Sequence, residues 1–369
     1  MGDDAREENG AAASLMTALG ERLRQLIAAQ GPINVSDYMA ACLYDPADGY
    51  YMSRAPFGAE GDFTTAPEVS QMFGELLAAW LYDAWTEAGS PLPATIAEIG
   101  PGRGTLMQDM LRVFARLDRA FLSNVTIALV ETSPRLTETQ KARLSSAPAK
   151  PVWHTSIATL PDAACFIVGN EIFDALPIRQ YVRMKEGWRE RVITLDENGN
   201  FRFVAGPGTP DPLLLPPVAK NATESAILEF APARSALMQD IAARIAAKGG
   251  AGLFIDYGYL QPAVGDTLQA LYRHHYDDIF AHPGEADLTA HVDFAMLAAI
   301  AKAARLDTKL STQGEFLLGL GLLERAGALG AGRDAALQER LRSEVERLAG
   351  PDQMGTLFKV LEVKAGSGA

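Results

Sequence analysis

Glycine and acidic residues in the first half of this chain have types and spacing suited to holding a nucleoside. Glu98-Ile99-Gly100-Pro101-Gly102-Arg103-Gly104 falls between residues 95–99, which read as a strand, and residues 105–117, which read as a helix. Glycines there allow a sharp turn and let a ligand approach the backbone. The helix beyond presents free N–H groups. The dinucleotide fingerprint is G-x-G-x-x-G, but here the third glycine arrives one residue early. Such a turn need not wrap a pyrophosphate, and it suits S-adenosylmethionine, whose cationic amino-acid end Glu98 can face. Glu131 closes the next apolar run, 126–130, where a carboxylate can accept from both ribose hydroxyls. Asn170, Glu171 and Asp174 lie just past a third run, 165–168. Ligands of open α/β sheets bind outside the carboxyl ends of the strands, so these groups stand where a transferred methyl group would sit. Each feature taken singly also reads as a tight turn, a strand-end carboxylate or a helix cap. Together, in order along one predicted sheet, they point to a site.

The surrounding elements must supply that sheet. Apolar stripes at spacing three and four predict helices over 14–29, over a stretch opening at Thr65 and stopping at Gly89, and over 105–117 and 134–144. Thr65-Ala66-Pro67-Glu68 matches a capping box. A short helix is expected over 33–39. Strand and helix alternate through 95–168 and again from 231 onward, which predicts a parallel sheet. Residues 180–184, 188–195 and 201–204 read instead as short antiparallel strands, followed by a Pro/Gly-rich linker. The expected layout is a tail over 1–12 and an N-terminal helical region over 13–90 that covers the site. The α/β core spans 91–178 and 225–369, with a helical insertion at about 313–350 and an antiparallel insertion over 179–224.

Composition narrows the class. The chain has 369 residues, 48% hydrophobic and 21% charged, with 46 acidic against 33 basic and a net charge of -13. An acidic surface repels phosphate backbones, which argues against nucleic acid as a partner and is compatible with a basic protein segment. The two cysteines, Cys42 and Cys165, have no metal or disulfide spacing, which fits a reducing compartment. The opening MGDDAREENG is neither a secretory signal nor an Arg-rich transit sequence, and no apolar run reaches the ~18 residues a membrane span needs. A cytoplasmic location is therefore expected. His274, His275, His282 and His291 lie near several acids but lack tight ligand spacing, so no metal is expected. No G-x-S-x-G elbow appears.

Several segments together resemble a known family: PADGYY at 46–51, GDFTTAPEVSQMFGELL at 61–77, EIGPGRGTLMQDMLRVF at 98–114, LVETSP at 129–134, NEIFDALPIRQY at 170–181, GWRER at 187–191, DYGY at 256–259 and ADLTAHVDF at 286–294. In this order they are similar to the MidA-type methyltransferases, whose mitochondrial members are assembly factors for respiratory complex I. The resemblance implies a class I, Rossmann-like fold with an N-terminal helical extension and inserted β and helical elements, and S-adenosylmethionine as cofactor. It also implies an arginine of a protein as methyl acceptor, a complex I subunit among the candidates. On that basis Gly61, Asp62 and Thr64 are expected to close over the methionine end of the cofactor. Gly100, Pro101, Gly102 and Gly104 form the turn, Glu98 and Glu131 hold the two ends of the nucleoside, and Ser156 and Ile157 lie near the adenine. Glu171 and Asp174 are expected to orient the acceptor, with Asn170 fixing the loop or the cofactor. A non-catalytic cofactor-binding assembly factor and a nicotinamide-dependent oxidoreductase remain as alternatives, and the sequence does not give the oligomeric state.

Overall fold

Strand β1 (Ala94–Ile99) is buried along its whole length, as a strand covered on both faces must be. The computed structural model of the protein describes residues 17–53 and 65–366. In it β1 pairs in parallel with β2 (Val125–Val130) on one side, and β3 (Val152–His154) continues beyond β2. On its other side lies β4 (Ala164–Asn170), followed in parallel by β5 (Gly250–Tyr259). Besides Val292–Asp293, which pairs in parallel with the end of β5, two strands complete the sheet, β6 (Leu306–Thr312) and β7 (Phe358–Ala365). The last of these runs antiparallel between β5 and β6. The spatial order is 3-2-1-4-5-7-6. Chain order reverses between β1 and β4, so the strand ends there open into a crevice.

Side chains alternate across a strand, and the two faces of the sheet feed two separate cores. Ile96, Ile127, Leu129, Phe166, Val168 and Leu253 face one layer of helices, which includes Gln71–Glu87 and Thr105–Leu117. Ala97, Ala128, Cys165, Ile167 and Phe254 face the other, formed by Pro232–Lys248 and Phe294–Ala303. This is the expected Rossmann-like αβα arrangement.

Local chemistry moves several expected boundaries. Thr65 stands before the four-residue helix Ala66–Val69 without donating or accepting a cap bond through its side chain. The chain then straightens at Ser70, whose hydroxyl accepts from the Met72 N–H and starts Gln71–Glu87. The helix expected over 33–39 begins later. Asn34 accepts from the Asp37 N–H at 2.8 Å and caps Val35–Tyr44, leaving Ile33–Asn34 extended. Asparagine favours such local bonds over a helix interior.

The antiparallel strands Arg179–Met184, Gly187–Leu195 and Phe201–Ala205 gain two neighbours from elsewhere. Ile227–Phe230 pairs with the first and Ile33–Asn34 with the second. The helices Ala18–Gln30 and Val35–Tyr44 share a third core with this sheet and with the small sheet of Gln269–Tyr272, His275–Asp277 and Asp287–Thr289. That core carries Tyr44 and Tyr51 to the site. Four helices, Gln313–Gly319, Leu322–Gly330, Ala335–Ala349 and Met354–Leu357, come between β6 and β7. Arg325 ties this group to Gln71–Glu87 by two bonds to the Glu75 carboxylate, 2.7 and 3.0 Å.

Phe114, fully buried in the first core with its ring 5.3 Å from that of Phe121, measures how firmly the glycine-turn helix is held. Phe114→Ala should cost about 3–5 kcal/mol, read as a lower midpoint in urea unfolding with an unchanged slope.

Candidate functional site

At the carboxyl end of β1 the chain turns through Gly100, Gly102 and Gly104, all with positive φ (64°, 51° and 80°). Gly100 is the constrained one, because a Cβ there would meet Ile172 Cγ2 at 2.8 Å. Gly104 takes the left-handed conformation at the N-cap of Thr105–Leu117 and does not face the crevice. The side chain of Gln140 fastens the turn from behind. Its Nε2 donates to the Gly102 carbonyl (2.8 Å) and to Glu131 Oε2 (3.0 Å), and its Oε1 accepts from Trp153 Nε1 (2.9 Å). Glu131 Oε1 accepts from the Ser133 N–H (2.8 Å). The carboxylate at the end of β2 is thus locked in place with acceptor capacity left over.

Glu98 is 3% exposed and its Oε2 has no hydrogen-bond partner. Burial, with the nearby charge of Glu131 adding, pushes its carboxyl up to about 8. Beyond β4, Asn170 Nδ2 donates to Glu171 Oε1 (2.8 Å), while Asn170 Oδ1 is buried without a partner. Glu171 holds a left-handed backbone, φ 54°, which is uncommon for a non-glycine residue and is often found at functional sites. Desolvation and the Asp174 charge push its carboxyl up to about 8. Asp174 is 6% exposed; its Oδ2 accepts from the Tyr257 hydroxyl at 2.7 Å, and its Oδ1 has no partner. Burial raises its pKa as well.

Two further residues hold this loop. Asp256, fully buried, accepts from the N–H groups of Phe173 (3.0 Å) and Asp174 (3.1 Å). Arg234 is also buried, and it pairs with carbonyls instead of forming an ion pair, donating to Asp174 O, Ala290 O and His291 O.

These elements enclose a cleft of about 500 Å³. Its apolar wall includes Ile99, Val130, Leu136, Ile157, Ile172 and Leu237. Ser156 lines it too, though its hydroxyl caps the short turn at Ile157 by accepting from the Ala158 N–H. Glu131, Glu171, Asp174, Asp240 and Asp287 contribute five carboxylates, and no Lys, Arg or His lines the cleft among the described residues. A smaller recess, sharing Gly100, Gly102 and Glu171, adds Glu98, Pro101 and Asn170, and also Arg103, which faces Glu68 at 3.9 Å. Gly61, Asp62 and Thr64 lie outside the described residues.

Tyr44, Tyr51, Asp240 and Asp287 were not singled out as site residues from sequence. Tyr51 and Asp287 fall within matched segments, but neither resembled a chemical motif. Of the histidines weighed as ligands, His282 pairs with Asp277 at 2.6 Å and stacks on Tyr272. No group of three or more His, Cys, Asp or Glu able to hold a metal occurs among the described residues.

A doubly covered, mostly parallel sheet with an acidic, half-apolar crevice at its switch point defines a Rossmann-like nucleoside-binding protein whose ligand carries positive charge. Residues 76–312 match the model of a family described as "Putative S-adenosyl-L-methionine-dependent methyltransferase", and the chain belongs to that family. A mitochondrial protein arginine methyltransferase of Xenopus tropicalis is 36% identical, the match covering 97% of this chain and 88% of that one. The human counterpart is 32% identical over 95% of this chain and 84% of its own. A crystal structure of a Burkholderia thailandensis protein bound to S-adenosyl-homocysteine superposes with a TM-score of 0.83. It is 30% identical, with 95% of this chain and 93% of that one covered. The protein is an S-adenosylmethionine-dependent methyltransferase of class I fold, and the nicotinamide alternative is set aside.

Gly100→Val should abolish binding of S-adenosylhomocysteine in calorimetry, because the added side chain strikes Ile172. Glu98 carries a linked stability cost. Its folded pKa of about 8 exceeds the unfolded value of roughly 4.3, so the stability present below that value is lost as pH rises toward 8. Glu98→Gln should therefore raise the melting temperature of the ligand-free protein at pH 8, change it little at pH 4.5, and weaken S-adenosylhomocysteine binding by about tenfold or more.

Proposed function

We propose that the protein transfers the methyl group of S-adenosylmethionine to an arginine side chain of a partner protein. One observation carries this reading: five carboxylates and two tyrosines line the cleft, with no basic side chain among the described residues. Such a lining favours positively charged ligands at both ends. The names of the curated relatives, protein arginine methyltransferases, support the same acceptor. A respiratory complex I subunit is the candidate partner by that kinship. The curated relatives are named mitochondrial. No helix among the described residues is long and apolar enough to cross a membrane.

The residues present fit the cofactor. Unpartnered Glu98 Oε2 suits its ammonium group, the remaining lone pairs of Glu131 suit the ribose hydroxyls, and Ile157 and Leu237 suit the adenine faces. Gly100, Pro101 and Gly102 leave room for close approach, Gly104 starts the helix behind them, and Ser156 braces the adenine end. Asn170 holds Glu171 in position by its hydrogen bond. Gly61, Asp62 and Thr64 keep the role expected for them, over the methionine end. Bound there, the cofactor supplies a methyl group on a positively charged sulfur, which an attacking nitrogen takes in line.

A guanidinium stays protonated in water, with pKa above ~12, so its nitrogen must be oriented and relieved of a proton. Glu171 accepts hydrogen bonds from the guanidinium edge that faces the cofactor. Once ionised, it also receives the proton released as the N–C bond forms. Asp174 adds negative potential behind it. Proximity in a closed cleft supplies the rest of the rate.

With the carboxyl near 8 in the ligand-free cleft, Glu171 is neutral at pH 6 and ionised above pH 8. The value of kcat/KM for the acceptor, read by labelled-methyl transfer into lysate from a deletion strain, should rise with pH along a limb centred below 8, because the positive charge of the bound cofactor lowers the Glu171 pKa. Glu171→Gln should lower it by about 10²–10⁴-fold and flatten that limb, while S-adenosylhomocysteine still binds. Wild-type transfer by the variant would remove Glu171 from this role, and absence of any transfer by the wild type would leave a cofactor-binding scaffold.

A further inference from the structure

Asp287 belongs to none of the cofactor elements. It lies on Asp287–Thr289, a strand of the small sheet, 5% exposed, yet it lines the cleft beside Asp174. The Tyr51 hydroxyl donates to its carboxylate at 3.2 Å. Tyr44 stacks on Tyr51 with ring centres 5.9 Å apart, and its own hydroxyl is committed to the Ala175 carbonyl at 3.0 Å. Asp174 brings an oxygen, Oδ1, that no group in the protein satisfies. Both tyrosine hydroxyls are pushed up by burial and then by the charges of Asp174 and Asp287. The two rings and the two carboxylates therefore share one small volume.

We infer that Asp287 and Tyr51, together with Asp174, form an acceptor clamp that selects a planar guanidinium over an ammonium. This rests on the arginine reading above and deepens it. A guanidinium carries five N–H donors in a rigid plane. It can present one edge to Glu171 and another to Asp174 and Asp287, while its face lies against a tyrosine ring. An ammonium concentrates three donors on one atom and can serve only carboxylates that converge on that point. Tyr51 fixes the Asp287 carboxylate and supplies the ring. Its backbone carbonyl is in turn held by the Ser133 hydroxyl at 3.2 Å, next to the Ser133 N–H that holds Glu131. The clamp is thereby tied to the carboxylate that suits the ribose.

The test uses the whole protein saturated with S-adenosylhomocysteine, and arginine amide and lysine amide as probes in calorimetry. The wild type should bind arginine amide at least tenfold more tightly than lysine amide. Asp287→Asn and Tyr51→Phe should each weaken arginine amide about tenfold or more and shrink that preference. Asp287→Glu should restore part of it. Melting temperature and S-adenosylhomocysteine affinity should stay near wild type, which a merely structural role would not predict. Tyr51→Phe keeps the ring and serves if Asp287→Asn fails to fold. Retained preference for arginine amide in both variants would overturn the clamp while leaving the arginine reading intact. A wild type that binds neither amide, or binds lysine amide better, would overturn the arginine reading and the clamp together.

Discussion

Carboxylates gathered and buried at the end of a sheet set the terms for the rest of this structure. Glu98, Glu171, Asp174 and Asp256 all stand at or just beyond the carboxyl ends of β1, β4 and β5, and burial raises the pKa of each. Removing charge from water without pairing it is expensive, so the ligand-free protein carries these groups largely as a stored cost. A sulfonium, an ammonium or a guanidinium entering the cleft relieves that cost. Affinity for cations follows from holding these carboxylates away from solvent.

Such an arrangement survives only if backbone and packing hold it by other means. Asp256 spends its hydrogen bonds on the N–H groups of Phe173 and Asp174. Arg234 spends both terminal nitrogens on three carbonyls and braces the Asp174 loop against Ala290 and His291. Gln140 performs a similar service on the cofactor side, where one amide joins the glycine turn, Glu131 and Trp153. All three residues act through others and belong to the positioning layer that a reactive site requires.

The cleft has two halves of different origin. The nucleoside half comes from loops of the α/β sheet. The other half is contributed largely from outside it, by the N-terminal helices and the small sheet that share the third core. On the arginine reading proposed above, the acceptor would enter that second half and meet the methyl donor at the Glu171 loop.

Much of this was legible in the chain because it rests on local rules. The glycine turn, the strand-end carboxylates Glu98 and Glu131, and the alternation of buried strands with striped helices are short-range patterns. The helix Thr105–Leu117 begins and ends where its apolar stripe does. Matched motifs then gave the family. Where local signals competed, the boundaries moved: the helix that opens at Thr65 breaks at Ser70, which caps a second one, and Asn34 delays another. Ile227–Phe230 was not foreseen as a strand, since four residues with a glutamate among them carry no clear period. Only the tertiary structure decided that Tyr51, Asp174 and Asp287 line one cleft, that Gln140 joins two motifs and that Arg234 faces carbonyls instead of acids. Those relations span from 9 to 236 positions in sequence. Periodicity and capping act over a few residues, whereas such meetings depend on how separate cores pack, a property of the whole chain.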